Sequence, residues 1–351
     1  MRQLTYTAAI NEAMHIAMTQ DDKVLCYGLG TDDPKNIFGT TEKLQEKFGK
    51  DRVFDMPTSE NAMTGVAVGL ALAGYRSVVS HQRLDFFLLA MDQLVNSAAK
   101  WHYMFGGQIC VPIVIRLIMG RGWGQGPTHS QNLQSWFAHI PGLKVVSPTS
   151  AYDAKGILLA SIRDNNPVIF LEHRWLHNSI SEVPKSDYIV PIGKARVVKQ
   201  GIDISLIGMS YMIVEALRAA KYLSQFNISC EVIDLRTIRP IDWDTVFQSV
   251  RKTKRLLALD TSQPTCSVGS EIIAKVSIQL FSELVEAPYL MANPDNPEPT
   301  SFGLTKHYHP NAKDIVLKVA NMLNMNVDAS ELIASETCPH DVPGDWFKGP
   351  F

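Results

Sequence analysis

Pro167-Val168-Ile169-Phe170-Leu171-Glu172 is a continuous apolar run closed by a carboxylate. Its β-branched and aromatic side chains do not alternate with polar ones, so the segment predicts a strand covered on both faces. Strands of that kind belong to parallel sheets sandwiched between helices. The neighbouring chain has the matching rhythm: residues 144–147 read as a strand, 151–163 as a helix and 167–172 as the next strand. Toward the N-terminus the same alternation predicts strands at 23–27, 52–55, 77–80 and 111–116, with helices at 6–18, 37–48, 59–73 and 86–103.

Helical periodicity lapses over 179–201, a stretch that includes Pro184 and Pro191, and this reads as a connection. A second series follows, with strands at 203–208, 229–234, 255–260 and 286–291 and helices at 211–224, 242–252, 268–282 and 312–323. The fold class is therefore α/β, with two three-layer domains built on mostly parallel sheets. Residues 1–178 form the first domain, 202–327 the second, and 328–351 an extended tail packed on a surface.

Composition agrees. A chain of 351 residues accommodates two domains of about 150. With 46% apolar and 19% charged residues it is no disordered protein. Thirty-three Lys and Arg against 35 Asp and Glu leave a charge of −2, which provides no field for nucleic acid. Apolar runs such as Val66–Gly74 stop far short of the roughly 20 residues a membrane helix needs. Met1–Tyr6 leads straight into a helical pattern, which reads as a cytoplasmic protein and leaves a mature organellar one open. The cysteines (Cys26, Cys110, Cys230, Cys266, Cys338) are widely spaced and form no C-x-x-C pair, so neither a disulfide framework nor a zinc site is expected.

Three segments hold residues suited to chemistry. Gly28-Leu29-Gly30 follows a strand, but without a third glycine it reads as a tight turn rather than a dinucleotide fingerprint. In residues 53–69 a strand ends, Pro57 turns the chain, and Thr58 or Ser59 is placed to cap a helix of small residues. Glu60 lies in its first turn, where the helix dipole favours a carboxylate. Gly65 and Gly69, one turn apart, present a face that admits another helix, here expected from a second subunit. Finally Gly120, Gly122, Gly124 and Gly126 lie in a loop that leads to His129-Ser130-Gln131. Such a loop lets backbone approach a ligand at the carboxyl end of a strand, where open α/β sheets bind their ligands.

Taken together, residues 57–69, 92–100, Gly106-Gly107, His129-Ser130-Gln131, 141–146, 153–156, 162–168 and 231–240 resemble the β subunit of thiamine-diphosphate-dependent 2-oxo acid dehydrogenases. The resemblance runs over residues 4–325 in one register. It implies a thiamine-diphosphate-binding fold followed by a transketolase C-terminal-like domain. It further implies that Glu60 hydrogen-bonds N1′ of the cofactor's aminopyrimidine and favours its imino tautomer, that Phe86 stacks on that ring, and that Gln82 contacts the cofactor. His129 matches a histidine that handles substrate protons or charge. Asp164 and Asn166, with backbone carbonyls at Ile113 and Ser161, match a monovalent-cation site in some members, for which K⁺ is the expected ion. Apart from the resemblance, Glu60 reads as a dipole partner, Phe86 as core, His129 as a surface residue and Asp164–Asn166 as a turn.

The departures shape the expectations. Leu29 stands where the family has an acid, and Ser80-His81 stand near another. Arg83, Arg121 and Trp123 are unlike the family pattern, and Arg83 or Arg121 is expected to meet an anionic substrate group. The family holds the Mg²⁺ of the diphosphate with a Gly-Asp-Gly motif that this sequence lacks. An α subunit is therefore expected to complete the site in an α₂β₂ heterotetramer. The expected reaction is oxidative decarboxylation of a 2-oxo acid, with acyl transfer to the lipoyl carrier of an acyltransferase. A carboligase that gives an acyl or ketol unit to an aldehyde, ketone or sugar is the alternative, followed by a non-catalytic scaffold. A dinucleotide-binding dehydrogenase is the weakest reading.

Overall fold

The chain divides by contact into two units, residues 1–120 with 136–192 and residues 121–135 with 193–351. The computed structural model describes residues 1–33, 36–121, 124–335, 337–347 and 349. Trp123, singled out above, lies outside them.

In the first unit six strands pair in parallel, in the order 144–146, 168–173, 113–119, 76–81, 24–28 and 53–55. The apolar run at 167–172 becomes the strand Val168–His173, and every residue of it and of the neighbouring strand Ile113–Met119 is buried. Ile113–Met119 extends beyond its expected end because the apolar side chains continue through Leu117, Ile118 and Met119. Helix Ala151–Arg163 starts at Ser150, whose hydroxyl accepts from Asp153 N at 3.1 Å, and it packs on helix Tyr6–Gln20. Lys155 is fully buried in its middle. Its Nζ lies 3.0 Å from Glu12 and donates to the carbonyls of Pro184 and Ser186 at 2.8 and 2.9 Å.

Two expected helices are broken. The segment 37–48 becomes Asn36–Gly39 and Leu44–Phe48, since Ile37, Phe38 and Lys43 adopt left-handed backbone angles. The segment 86–103 starts earlier, at Leu84, and passes through a π-helical run at Gln93–Ala98 before ending at Met104. Gly65 faces the side chain of Gln93 at 3.6 Å from where its Cβ would stand, while Gly69 has nothing within 4 Å among the described residues.

The second unit has parallel strands 289–291, 256–259, 204–208 and 230–234 in that order, with Arg196–Lys199 antiparallel at the edge. Ile204, Leu206, Val232, Ala216, Ile315 and Val319 form its core beneath helices Tyr211–Leu223 and Ala312–Met322. Asn311 caps the latter helix in a capping box with Asp314.

The stretch 179–201 is more ordered than a plain connection. Ile180–Val183 pairs with Arg2–Thr5 in the first unit, and Arg196–Lys199 joins the second. The loop segment 121–135 clusters with the second unit, and the tail contains a helical turn, Ser330–Ala334. All five cysteines are free, and burial pushes the thiols of Cys26 and Cys230 up to about 12. Among the described residues no helix is long and apolar enough to cross a membrane.

Candidate active site

The carboxyl ends of the strands in the first unit carry Glu60, Gln82, Arg83 and Phe86. The turn Gly28–Gly30 proves to be a tight turn: the amides of Gly30 and Thr31 donate to the Asp55 carboxylate at 2.8 and 2.5 Å. A Cβ on Gly28 would collide with the Ser80 carbonyl. The same strand end that supplies Asp55 leads to Glu60, the first residue of helix Glu60–Leu72.

Ser59 stands at the cap position but makes no side-chain hydrogen bond to the helix amides. The expected hydroxyl cap is therefore not formed, because the backbone at Ser59 has turned to φ −158° and ψ 85°. Glu60 is left as the charge that complements the amide dipoles. It is 6% exposed, and no donor among the described residues hydrogen-bonds its carboxylate. A nearly buried carboxylate without a protein donor fits a site where a ligand nitrogen supplies the missing proton.

Phe86 and Phe87 take opposite roles. Phe87 is fully buried against His81, at 4.9 Å between ring centroids, and against Phe137 at 6.0 Å. Phe86 is 38% exposed. Gln82 is exposed, and its amide lies over Gly30, close enough that a Cβ there would overlap it. His81 is 1% exposed, and neither ring nitrogen makes a hydrogen bond. Burial holds its pKa down at about 3, so the ring is neutral.

Arg83 is buried, and its Nη1 donates to the Gly120 carbonyl at 3.0 Å. A second buried guanidinium, Arg174, lies 4.3 Å from the Phe38 ring centroid. Burial, and then the charge of Arg83, hold Arg174 down at about 10.

In the second unit, His129 is half-buried in a turn closed by its amide to the Gly126 carbonyl, and Nδ1 lies 3.0 Å from the Thr128 hydroxyl. Arg121 differs from expectation. It is 2% exposed, with Nε 3.3 Å from Glu298 and Nη2 3.7 Å from Asp341. A guanidinium enclosed by two carboxylates of its own chain is not presented to an anionic substrate. Glu298 and Asp341 carried no sequence signal, because they are distant in the chain from the loop they hold.

Ser161, Asp164 and Asn166 come together at one turn of the first unit. Ser161 O accepts from Asp164 N at 3.2 Å, and the Asp164 carboxylate accepts from Asn166 N at 2.9 Å. Two cations of the chain already stand here. Arg76 donates to the carbonyls of Ile162 and Asp164 at 3.1 and 2.8 Å, and Lys144 pairs with the Asp164 carboxylate. Ile113 opens the buried strand beside Ser77.

Residues 2–178 match the family described as the transketolase pyrimidine binding domain, and residues 193–315 match the transketolase C-terminal domain. The chain is 41% identical over 324 residues to the acetoin:2,6-dichlorophenolindophenol oxidoreductase subunit beta of Cupriavidus necator, covering 90% of this chain and 96% of that one. It is 39% identical over 325 residues to the pyruvate dehydrogenase E1 component subunit beta of Rickettsia felis, covering 93% and 100%. The mitochondrial pyruvate dehydrogenase E1 subunit beta-1 of rice (Oryza sativa subsp. japonica) is 41% identical over 320 residues, at 90% and 85% coverage. Among solved structures, a split-gene transketolase in an inactive beta4 tetramer has the same fold, with a TM-score of 0.73 at 21% identity over 92% of this chain and 99% of that one.

Proposed function

Since the chain belongs to the transketolase-like family that includes the β subunits of pyruvate dehydrogenase E1, we propose that it is the β subunit of a thiamine-diphosphate-dependent enzyme that oxidatively decarboxylates a 2-oxo acid. The observation that carries this reading is Glu60, a nearly buried carboxylate in the first turn of its helix with no hydrogen-bond donor among the described residues. Thiamine diphosphate, when bound, supplies the carbanion chemistry. The chain's part is to hold and orient. Glu60 would share a proton with N1′ of the aminopyrimidine, and Phe86 and Gln82 would help to hold the same heterocycle. His129 moves a proton at the substrate. Arg83 would meet the substrate's carboxylate.

An α subunit brings the Gly-Asp-Gly motif, and with it the Mg²⁺ and the diphosphate, in an α₂β₂ assembly. The open face at Gly69 is part of the contact between subunits. The acyl product passes to the lipoyl carrier of an acyltransferase. At the turn 161–166, K⁺ would join Arg76 and Lys144 in balancing carbonyl and carboxylate charge. Replacing KCl with tetramethylammonium chloride should then lower the thermal midpoint of the complex, and an unchanged midpoint removes K⁺ from the site.

The central test is co-expression with the α subunit and assay of 2-oxo acids with an artificial electron acceptor, run beside assays with aldehyde acceptors. Glu60→Gln should lower kcat by about 10²–10⁴-fold while the complex still assembles. A Glu60→Gln complex that turns over at the parent rate would refute the reading.

A further inference from the structure

We propose that the C-terminal segment 337–347 is a strap that positions the loop carrying His129, with Asp341 acting through Arg121. The loop and the segment both belong to the second unit. Gly120, Gly124 and Gly126 have φ values of +71°, +65° and +70°, so the loop's own sequence leaves it many conformations and something else must select one.

The segment 298–305 supplies the base. Glu298 lies 3.3 Å from Arg121 Nε, and Thr300 sits so close to Gly126 that a Cβ there would overlap its hydroxyl. The loop is thus held at both ends of its glycine-rich part, three residues before His129. The tail grips the same base a few residues further on. His340 Nε2 lies 2.8 Å from the Phe302 carbonyl and 3.1 Å from the Thr305 hydroxyl, and its ring centroid is 4.1 Å from that of Phe302. Next to it, Asp341 reaches to 3.7 Å from Arg121 Nη2.

Arg121, Glu298 and Asp341 are 2%, 6% and 3% exposed, so water does little to screen their attraction. His309 Nε2 also lies 3.1 Å from Glu298. The nitrogens of Arg121 form ion pairs here rather than aligned hydrogen bonds. With Asp341 removed, a buried guanidinium keeps one carboxylate, which itself is shared with His309. Arg121 and the loop attached to it then lose the contact that selects their position. Residues 337–347 lie outside both matched family segments, which end at 178 and 315.

Asp341 and Arg121 are positioning residues in this scheme, which rests on the role given to His129. The test uses the assembled complex with Asp341→Asn, Asp341→Glu, and a chain ending at residue 336. Hydrogen–deuterium exchange of the peptide 120–131 should quicken in Asp341→Asn and in the shortened chain. In both, kcat should fall about tenfold with the KM for the 2-oxo acid and the affinity for thiamine diphosphate unchanged, because only a proton-handling group is displaced. Asp341→Glu, which keeps the charge, should retain most of the rate. Unchanged loop exchange in Asp341→Asn overturns the strap even if the shortened chain fails to fold. Quickened exchange with unchanged kcat overturns the link to catalysis, and His129→Ala, assayed separately, tells whether His129 itself was misassigned.

Discussion

Arg116 and Arg121 are close in sequence and almost equally buried, at 1% and 2% exposure, yet they are held in different ways. Arg116 stands in the strand Ile113–Met119, in register with Phe170. Glu172 is two residues further along the neighbouring strand and therefore on the same face of the sheet. The result is a bidentate pair, with Nε to Oε1 at 2.7 Å and Nη2 to Oε2 at 3.0 Å. Burial alone would raise the Glu172 carboxyl, but the Arg116 charge and the nearby His177 bring it down to about 2. Arg121 has two carboxylates at longer range, and burial outweighs them, so its pKa is lowered where that of Arg116 is raised. Regular strand pairing delivers a partner with the right geometry. A glycine-rich loop obtains partners only from wherever the rest of the chain happens to pass, and the fit is looser.

That contrast is open to breaking. Arg116→Met strands a buried carboxylate and should cost about 3–5 kcal/mol, read as a fall in the urea midpoint. Arg121→Met leaves Glu298 beside His309 and Asp341 without its cation, but the contacts it removes are long and unaligned, so about 1–2 kcal/mol is expected. If the two substitutions cost the same, the distinction between strand-built and loop-built pairs fails. A smaller effect sharpens it from the side of pH. His81 is buried and neutral, with a folded pKa near 3 against 6.5, so the unfolded chain binds more protons between those values. Its contribution to stability is present above pH 6.5 and is lost as pH falls through that window. Glu172, depressed from 4.5 to about 2, adds a further loss lower down. His81→Phe should flatten the decline of the thermal midpoint between pH 6.5 and 4 and leave the steeper acid limb that Glu172 governs. An unchanged slope would mean that the imidazole is solvated in the folded protein.

Much of the sheet architecture was legible because it is periodic. Val168–His173 and Ile113–Met119 are apolar without alternation, and burial on both faces follows from that pattern. Helices with strong start signals, such as Ala151–Arg163 after Ser150, came out where expected. The expected helix at 37–48 broke at the left-handed residues Ile37, Phe38 and Lys43, none of them a glycine, so composition carried no warning. Phe86 and Phe87 illustrate a finer limit. Adjacent aromatics have equal claims on a core, and only the rotation of a short helical turn sends Phe87 inward and Phe86 out.

The sequence by itself determined the two α/β units and the carboxylate at the head of a small-residue helix. These are local properties, set by periods of 2 and 3.6 residues and by motifs that span one turn. The tertiary structure decided that Arg121 faces Glu298 and Asp341, that the segment 121–135 clusters with the second unit, and that Arg76 and Lys144 attend the turn at Asp164. Such pairings join residues far apart in the chain. They depend on where a buried charge can find its opposite once the sheets have formed, and no local pattern encodes that meeting.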